Sequence, residues 1–205
     1  MAVEAGKTGL VSRKEAARQD KETAILDAAA RVFRHKGYVG ATLRDIAGEA
    51  GMLLGSLQYR YETKDALFLA LAEREVDRGV QAIAEVCEAT SDPLERLRGF
   101  LAGMAAQARE DDVLMALVTG SMALPPEAHG TFEALKSRFH TAFDGLTDDA
   151  VRTGALRAGI EPALLRCHLL APLAWAVDRF CGGYTQSTAE AADTLWILAL
   201  DGLRA

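Results

Sequence analysis

Residues 41–61 read ATLRDIAGEAGMLLGSLQYRY, and this stretch decides the fold. Thr42, with Asp45 three residues later, is typical of a capping box at the start of a helix. Gly51 suits the end of that short helix, and a second short helix is predicted over about 54–61. Two short helices joined by a glycine turn, with a helix on either side, predict a helix-turn-helix unit.

Almost every other segment is predicted to be helical. Apolar residues recur at spacings of three and four, and alternating runs rich in Val, Ile and Thr are absent, so we expect an all-α protein. Gly37 is predicted to end the helix before this unit, and Thr63 is predicted to cap the helix after it. Asp92 and Pro93 are predicted to begin a further helix. Besides the two short helices and the one that Thr63 begins, helices are predicted at about 19–36, 93–108, 113–124, 127–153 and 162–181, and after Ser187.

Composition excludes several classes of protein. The chain has 205 residues, 50% of them hydrophobic, which excludes a disordered chain or a disulfide-stapled miniprotein. Its three cysteines form no close pair, as expected in a reducing compartment. The start lacks the apolar core of a signal peptide, and the longest uncharged apolar run, 169–177, is about half a membrane span. We expect a cytoplasmic protein without a membrane partner.

Charge is distributed unevenly along the chain. The total is -6, but residues 1–65 carry 11 Lys and Arg against nine Asp and Glu, a net +2, which leaves -8 for the remainder. Such asymmetry is typical of a nucleic-acid-binding end joined to a different module. We therefore expect any binding of nucleic acid to depend on a few well-placed cations and to be sensitive to salt.

The N-terminal segment also resembles a known family. The resemblance is carried by Ile25-Leu26-x-Ala28-Ala29, Phe33, Gly37-Tyr38, Ala41-Thr42, Arg44-Asp45-Ile46-Ala47, Ala50-Gly51, Gly55-Ser56-Leu57, Tyr59, Tyr61, Lys64 and Leu67. In this order and spacing they resemble the DNA-binding end of the TetR family of transcriptional regulators. The basic residues Lys7, Arg13, Lys14 and Arg18 predict a mobile basic arm at 1–18. The resemblance implies a helix-turn-helix DNA-binding domain at 19–66 and a helical ligand-binding and dimerisation domain at 67–205.

The residues themselves support a DNA-binding surface. Ile46, Ala47 and Leu57 are predicted to form a small core, with Gly55 allowing close approach of the second helix. Gln and Arg can bond base edges, Tyr and Lys can reach phosphates, and helix N-termini offer amides. The candidate DNA-binding residues are Thr42, Arg44, Leu54, Ser56, Gln58, Tyr59, Arg60 and Lys64. By resemblance, Lys64 contacts a phosphate.

This sequence departs from the family pattern on its reading face. Position 53 is often Ser or Asn, position 54 polar or basic, position 58 Tyr and position 60 His; here they are Leu53, Leu54, Gln58 and Arg60. We hypothesise that Leu54 contacts a thymine methyl group and Gln58 an adenine edge. The alternative is that Leu53 and Leu54 pack against Tyr38 or the arm.

The remainder is expected to dimerise and to bind a small effector. Surplus apolar surface on the last two helices predicts a dimer interface at Leu165, Leu169, Leu173, Leu195, Leu198, Ala199 and Leu203. A ligand pocket is predicted among Phe100, Met104, Met115, Val118, Met122, Phe139, Phe143 and Trp175, although such a stripe also suits ordinary core. His129, His140 and His168 are candidates for polar contacts with the ligand, or are structural.

The function expected is that of a TetR-type repressor that binds a palindromic double-stranded DNA operator as a homodimer and is released by a small-molecule ligand. No nucleophile elbow, zinc-protease motif, phosphate-binding loop or zinc-ligand spacing occurs, so we expect no enzyme, cofactor or metal. The alternative is a dimeric helical small-molecule-binding protein with weak or no DNA binding.

Overall fold

The computed structural model describes residues 2–111, 113, 117, 120–176, 190, 194, 196–199 and 203, and only the backbone for 2–17, 107–111 and 172–176. Within these ranges every regular element is an α-helix, which confirms the expected class. None of the helices described is both long and apolar enough to span a bilayer. The helices are α1 (Ala2–Gly40), α2 (Leu43–Glu49), α3 (Leu54–Arg60), α4 (Lys64–Ala89), α5 (Pro93–Asp111), α6 (Pro126–Arg152) and α7 (Pro162–Ala176).

Three helix starts predicted from capping residues are confirmed. Thr42 begins α2 and Thr63 begins α4, and each hydroxyl accepts a hydrogen bond from the backbone amide three residues on, at 3.1 and 3.0 Å. Asp92 begins α5, where its carboxylate accepts from the amide two residues on at 2.9 Å. Gly51, with φ of +65°, makes the turn between α2 and α3. Each of these signals depends on contacts within a few residues, which is why the sequence predicts them.

Helix α1 is longer than predicted. It starts at Ala2 rather than near residue 19. The predicted stop at Gly37 is confirmed, because the backbone of Gly37 is not helical, with φ of +67°, and a short helical segment follows it to Gly40. The prediction followed an apolar stripe, whereas residues 2–18 are rich in Ala, Glu, Lys and Arg, which favour helix without forming a stripe. The predicted helix at 113–124 is described only in part, and the predicted end at 181 and the cap at 187 lie outside the described residues.

One apolar core joins the first four helices to the rest of the protein. Phe68 of α4 is fully buried, with its ring centre 5.4 Å from that of Phe33, 5.1 Å from that of Tyr38 and 6.0 Å from that of Phe132 in α6. This first core also includes Val113, Leu117, Leu124 and Ala128. It therefore continues across the boundary predicted after residue 66.

A second core fills the other end of the molecule. The rings of Phe100 in α5 and Phe143 in α6 are buried with their centres 5.7 Å apart. This second core also contains Ile83, Leu97, Leu101, Ala105, Leu146, Ala150, Leu156, Leu165, Leu169, Trp196 and Leu203. An ion pair between Arg166 of α7 and Asp144 of α6 lies beside it. Burial of several aromatic and aliphatic side chains, each worth about 1.5 to 3 kcal/mol, holds α4 to α7 together.

Candidate nucleic-acid interface

The start of α2 is held by a reciprocal capping box. Besides the bond from the Asp45 amide to the Thr42 hydroxyl, the backbone amide and the hydroxyl of Thr42 donate to Asp45 Oδ2 at 3.0 and 2.7 Å. Lys36 Nζ donates to the other carboxylate oxygen at 2.7 Å. The bond from Lys36, and then that from Thr42, hold the pKa of Asp45 below its ordinary value. The end of α1 is thereby tied to the beginning of α2.

A compact turn places α3 against α2. The Met52 amide donates to the Ala47 carbonyl at 2.9 Å across the Gly51 turn. Ile46, Ala47 and Leu57 are 0%, 2% and 0% exposed, as predicted for the small core of the pair. The role predicted for Gly55 is wrong, because a Cβ there would meet nothing within 4 Å.

Two ion pairs fix the surrounding helices. Arg31 Nε lies 2.6 Å from Glu49 Oε1 and links α1 to α2, while Arg74 Nη1 lies 2.6 Å from Asp27 Oδ1 and links α4 to α1. Both pairs are partly exposed to solvent, so each contributes modestly to stability. They connect α1 to α2 and to α4.

The outer face of α3 is polar and accessible. Leu57 is the buried residue of α3, whereas Ser56, Gln58, Tyr59 and Arg60 are all exposed. Tyr59 is 92% exposed. Arg44 on α2 is exposed as well. The structure therefore places these predicted DNA-binding residues on the solvent side of one helix pair, with their side chains available to a ligand.

The two leucines at the start of α3 differ from each other. Leu54 is half-buried and packs against the first core, which favours the alternative considered for it over a thymine contact. Leu53 is 79% exposed and belongs to neither core. The sequence predicts the same packing for both leucines, and only the tertiary structure shows that one is exposed and the other half-buried.

Lys64 has a structural environment that the sequence did not predict. Its Nζ donates to the carbonyls of Tyr38 at 2.6 Å, Ala41 at 3.2 Å and Val39 at 3.4 Å. It also lies 4.4 Å from the centre of the Tyr38 ring, a cation–π distance. Lys64 thus closes the C-terminal end of α1, and its predicted phosphate contact stays a prediction.

Two tyrosines bond to carboxylates beside this helix pair. The Tyr38 hydroxyl donates to Asp65, and the Tyr61 hydroxyl donates to Glu22 Oε1 at 3.3 Å. Burial, and then Glu22, raise the pKa of Tyr61 to about 12. Burial, and then Asp65, also raise the pKa of Tyr38. Both phenols therefore stay protonated at neutral pH and act as donors.

An open groove of about 610 Å³ lies between α1 and α3. Ser56, Tyr59 and Arg60 line it on the α3 side, and Lys21 and Ile25 line it on the α1 side. Lys21 is exposed and joins the candidate binding residues, although it was not among those predicted from the sequence. Its position four residues before the buried Ile25 is the signal that places it near that face of α1.

The predicted ligand-pocket residues only partly come together. Phe100 and Phe143 are buried side by side, and Phe139 and Met104 pack against the same second core. Met122 is 86% exposed, so its assignment to an enclosed pocket is wrong. Residues Met115 and Val118 and the side chain of Trp175 lie outside what the structure describes.

Three of the predicted dimer-interface residues are buried within their own chain. Leu165, Leu169 and Leu203 are 3%, 3% and 7% exposed in the second core, so their assignment to an interface is wrong. Leu198 is 63% exposed, and Ala199 packs in part against that core. Residue Leu195 and the side chain of Leu173 lie outside the described part of the chain.

The predicted ligand-binding histidines differ in environment. His140 is half-buried, and burial, then Arg166 and Lys136, lower its pKa. His129 and His168 are exposed, with His168 Nε2 3.3 Å from the Ala199 carbonyl oxygen. A ligand contact by any of the three stays a prediction.

Comparison with known proteins identifies the family. The protein-family model described as "Bacterial regulatory proteins, tetR family" matches residues 25–71. The model described as "Tetracyclin repressor-like, C-terminal domain" matches residues 90–203, which is more than half of the chain. The first match covers α2 and α3 and confirms the helix-turn-helix assignment.

Individual relatives agree with these models. The transcriptional repressor KstR2 of Mycobacterium tuberculosis is 35% identical over 83 residues, which are 40% of this chain and 42% of that relative. The chain thus matches less than half of that protein. KstR2 of Rhodococcus jostii is 26% identical over 192 residues, 89% of this chain and 91% of the relative.

A solved structure shares the fold. The crystal structure of AibR in complex with isovaleryl coenzyme A and operator DNA has a TM-score of 0.73 at 19% identity, covering 87% of this chain and 97% of that chain. Because the family models match both the helix-turn-helix end and the helical remainder, the chain belongs to the TetR family of bacterial transcriptional regulators and is not an enzyme.

Proposed function

We propose that the chain is a repressor that binds a palindromic operator as a homodimer and leaves it when a small molecule occupies the helical body. The observation that carries this proposal is the asymmetry of α3, which buries Leu57 and exposes Ser56, Gln58, Tyr59 and Arg60. A short helix with one anchored face and one accessible polar face suits insertion into the major groove. The repressor names of the KstR2 relatives support repression.

Base edges and phosphates have different candidate partners on this surface. Gln58 offers the paired donor and acceptor that recognise an adenine edge, and Arg60 offers donors for guanine. Arg44 and Lys21 are exposed cations beside α3 and suit backbone phosphates. Since the acidic body carries the net -8, these few cations supply most of the attraction, and binding falls steeply with salt.

An exposed apolar stripe supports a dimer. On α7, Leu164, Cys167 and Ala171 are exposed at spacings of three and four, and Leu164 is 62% exposed. Ile197 and Leu198 add a second exposed apolar pair at 58% and 63%. Exposed apolar side chains on α7 and at 197–198 suit a self-complementary helical interface.

The effector is expected to be partly apolar. Phe100, Phe139, Phe143 and Met104 form or border the second core, and Met and aromatic side chains can line an adaptable apolar site. The isovaleryl coenzyme A bound to the structural neighbour AibR supports a short acyl thioester as the first class to test. Such a ligand would release DNA by binding more tightly to the conformation that does not fit the operator. We place this regulator in the cytoplasm, with the DNA that it would bind.

Operator selection tests the proposal. Purified chain is mixed with a pool of randomised duplexes, and the enriched sequence is expected to contain two inverted half-sites centred about one helical turn or a multiple apart. Fluorescence anisotropy then measures affinity for wild type and for Arg44→Ala, while circular dichroism monitors folding. A folded protein that enriches no duplex would instead be the ligand-binding scaffold without DNA binding. Addition of acyl thioesters of graded length is expected to release the selected operator.

A further inference from the structure

Leu53 is the N-cap residue of α3, but its side chain neither caps the helix nor packs into a core. Its side chain makes no capping hydrogen bond, because leucine carries no acceptor. It is also 79% exposed and belongs to neither core. The chain therefore keeps water-exposed hydrocarbon at the start of its recognition helix.

The neighbouring helices show that this chain uses capping side chains elsewhere. Thr42 and Thr63 occupy the corresponding positions of α2 and α4, and both hydroxyls accept a backbone hydrogen bond. At α3 only the Leu53 carbonyl closes the first turn, accepting from the amides of Ser56 and Leu57 at 3.0 and 3.2 Å. A hydroxyl side chain at position 53 would add a cap and lose little packing, so stability does not explain the leucine.

The position of Leu53 points to DNA. The N-terminal residues of a recognition helix are those that contact base edges in helix-turn-helix proteins. Ser56, three residues further along and therefore on a neighbouring part of the helix surface, is exposed as well. Leu54, by contrast, packs against the first core. An apolar side chain at this end of α3 has one apolar feature to contact in the major groove, the C5 methyl group of thymine.

We infer that Leu53 is a specificity-determining residue that contacts a thymine methyl group in each operator half-site, in exchange for the helix cap that Ser or Thr would provide. The inference rests on the proposed function. Loss of a contact with one methyl group corresponds to about a fourfold loss of affinity, the equivalent of one buried methylene group. The same residue leaves α3 less stable in the free protein than its capped neighbours.

Two variants distinguish the effect of the apolar side chain on DNA binding from the effect of a helix cap on stability. Leu53→Ser supplies a capping hydroxyl and removes the hydrocarbon, whereas Leu53→Met keeps a flexible apolar side chain and supplies no cap. Met122→Ser is the control, since Met122 is 86% exposed and is not a residue of α3. Each protein is titrated with the selected operator and with duplexes in which single thymines are replaced by deoxyuridine, which removes only the methyl group. Thermal unfolding of the free proteins is recorded in parallel.

Wild type is expected to lose about fourfold in affinity when deoxyuridine replaces one symmetry-related thymine. Leu53→Met and Met122→Ser are expected to keep the same fourfold ratio between their affinities for the thymine and deoxyuridine duplexes. Leu53→Ser is expected to bind both duplexes equally and to unfold roughly 2 to 4 °C higher. The inference is overturned if wild type is insensitive to every thymine methyl, if Leu53→Ser keeps the wild-type ratio, or if Leu53→Met loses it. A folded wild type that enriches no duplex overturns the proposed function instead, and the inference with it.

Discussion

The ammonium group of Lys64 lies 2.6 Å from the carbonyl oxygen of Tyr38 and 4.4 Å from the centre of that residue's ring. A cation at this place offsets the partial negative charge at the C-terminal end of α1. Because Lys64 is the first residue of α4, the bond joins the long helix that enters the body to the chain leading into α2. Lys64 therefore connects the start of α4 to the segment that precedes α2.

Replacement of Lys64 by methionine tests this structural role. The variant loses hydrogen bonds from a charged donor, so the free energy of unfolding is expected to fall by about 1.5 to 3 kcal/mol in urea titrations. The salt dependence of operator binding is expected to stay unchanged, because the ammonium group is engaged by carbonyls rather than by phosphate. Unchanged stability with a salt slope reduced by about two, one phosphate contact for each protomer, would show the contact that the family resemblance implies.

Arg44→Ala is expected to leave stability nearly unchanged and to weaken operator binding, the reverse of what is expected for Lys64→Met. Arg44 is exposed on α2, so its loss should change the free energy of unfolding by less than about 0.5 kcal/mol. Operator affinity is expected to fall, and the slope of log affinity against log salt to decrease by about 1.8, since each of the two protomers loses one phosphate contact. Arg152→Ala, an exposed arginine of the body, is the matched control and should leave the slope unchanged. Equal slopes for wild type and Arg44→Ala would remove Arg44 from the interface.

Asp45 is expected to make stability depend on pH. Lys36 and Thr42 hold its pKa in the folded protein below the ordinary value of 3.8, so the unfolded chain takes up the proton first. The stabilising effect is complete above the unfolded pKa and is lost as pH falls through the folded one. Wild type should therefore be more stable than Asp45→Asn at pH 7, and the difference should shrink below about pH 4. Parallel urea titrations from pH 7 to pH 3 measure it, and a constant difference would contradict this assignment.

Gly120 is expected to tolerate no side chain. A Cβ at this position would lie 2.6 Å from Phe68 Cε2 and 3.2 Å from Tyr38 Cβ, and Phe68 is held by three other rings. Gly120→Ala should destabilise the protein by about 1 to 3 kcal/mol. Gly130→Ala on α6 is the control, since a Cβ there meets nothing within 4 Å and alanine favours helix, so it should stabilise by about 0.5 to 1 kcal/mol. Thermal unfolding distinguishes the two directions.

The exposed apolar stripe predicts the oligomeric state. A Leu164→Glu, Leu198→Glu double variant places charges on both exposed faces without touching either core, so it should remain folded but sediment as a monomer. Operator affinity should fall with it, since one protomer reads only one half-site. Met122→Glu, on an exposed surface that belongs to neither face, should sediment like wild type. A double variant that remains a dimer would locate the interface elsewhere.

Helix starts and the helix-turn-helix unit could be predicted because their causes are local. Thr42 with Asp45, and Thr63 with the amide of Ala66, act over three residues. The left-handed turn at Gly51 likewise depends on the backbone of one residue. The outward polar face of α3 followed from helical periodicity about the buried Leu57.

Burial in the body could not be predicted in the same way. Leu164 and Leu165 are adjacent leucines, yet one is 62% exposed and the other 3% exposed. Nothing in their own chemistry distinguishes them. The choice depends on the rotation of α7 against its neighbours, which is set by long-range packing in the second core.

Local sequence thus determined where the helices of the DNA-binding end begin and turn, because capping and glycine backbone energies act within a few residues. Tertiary structure alone decided which of two adjacent leucines faces the core, at 53 and 54 as at 164 and 165. It also decided that Lys64 bonds to carbonyls more than twenty residues earlier in the chain. Those outcomes depend on how whole helices pack, and packing minimises exposed apolar area over the entire molecule rather than over any one segment.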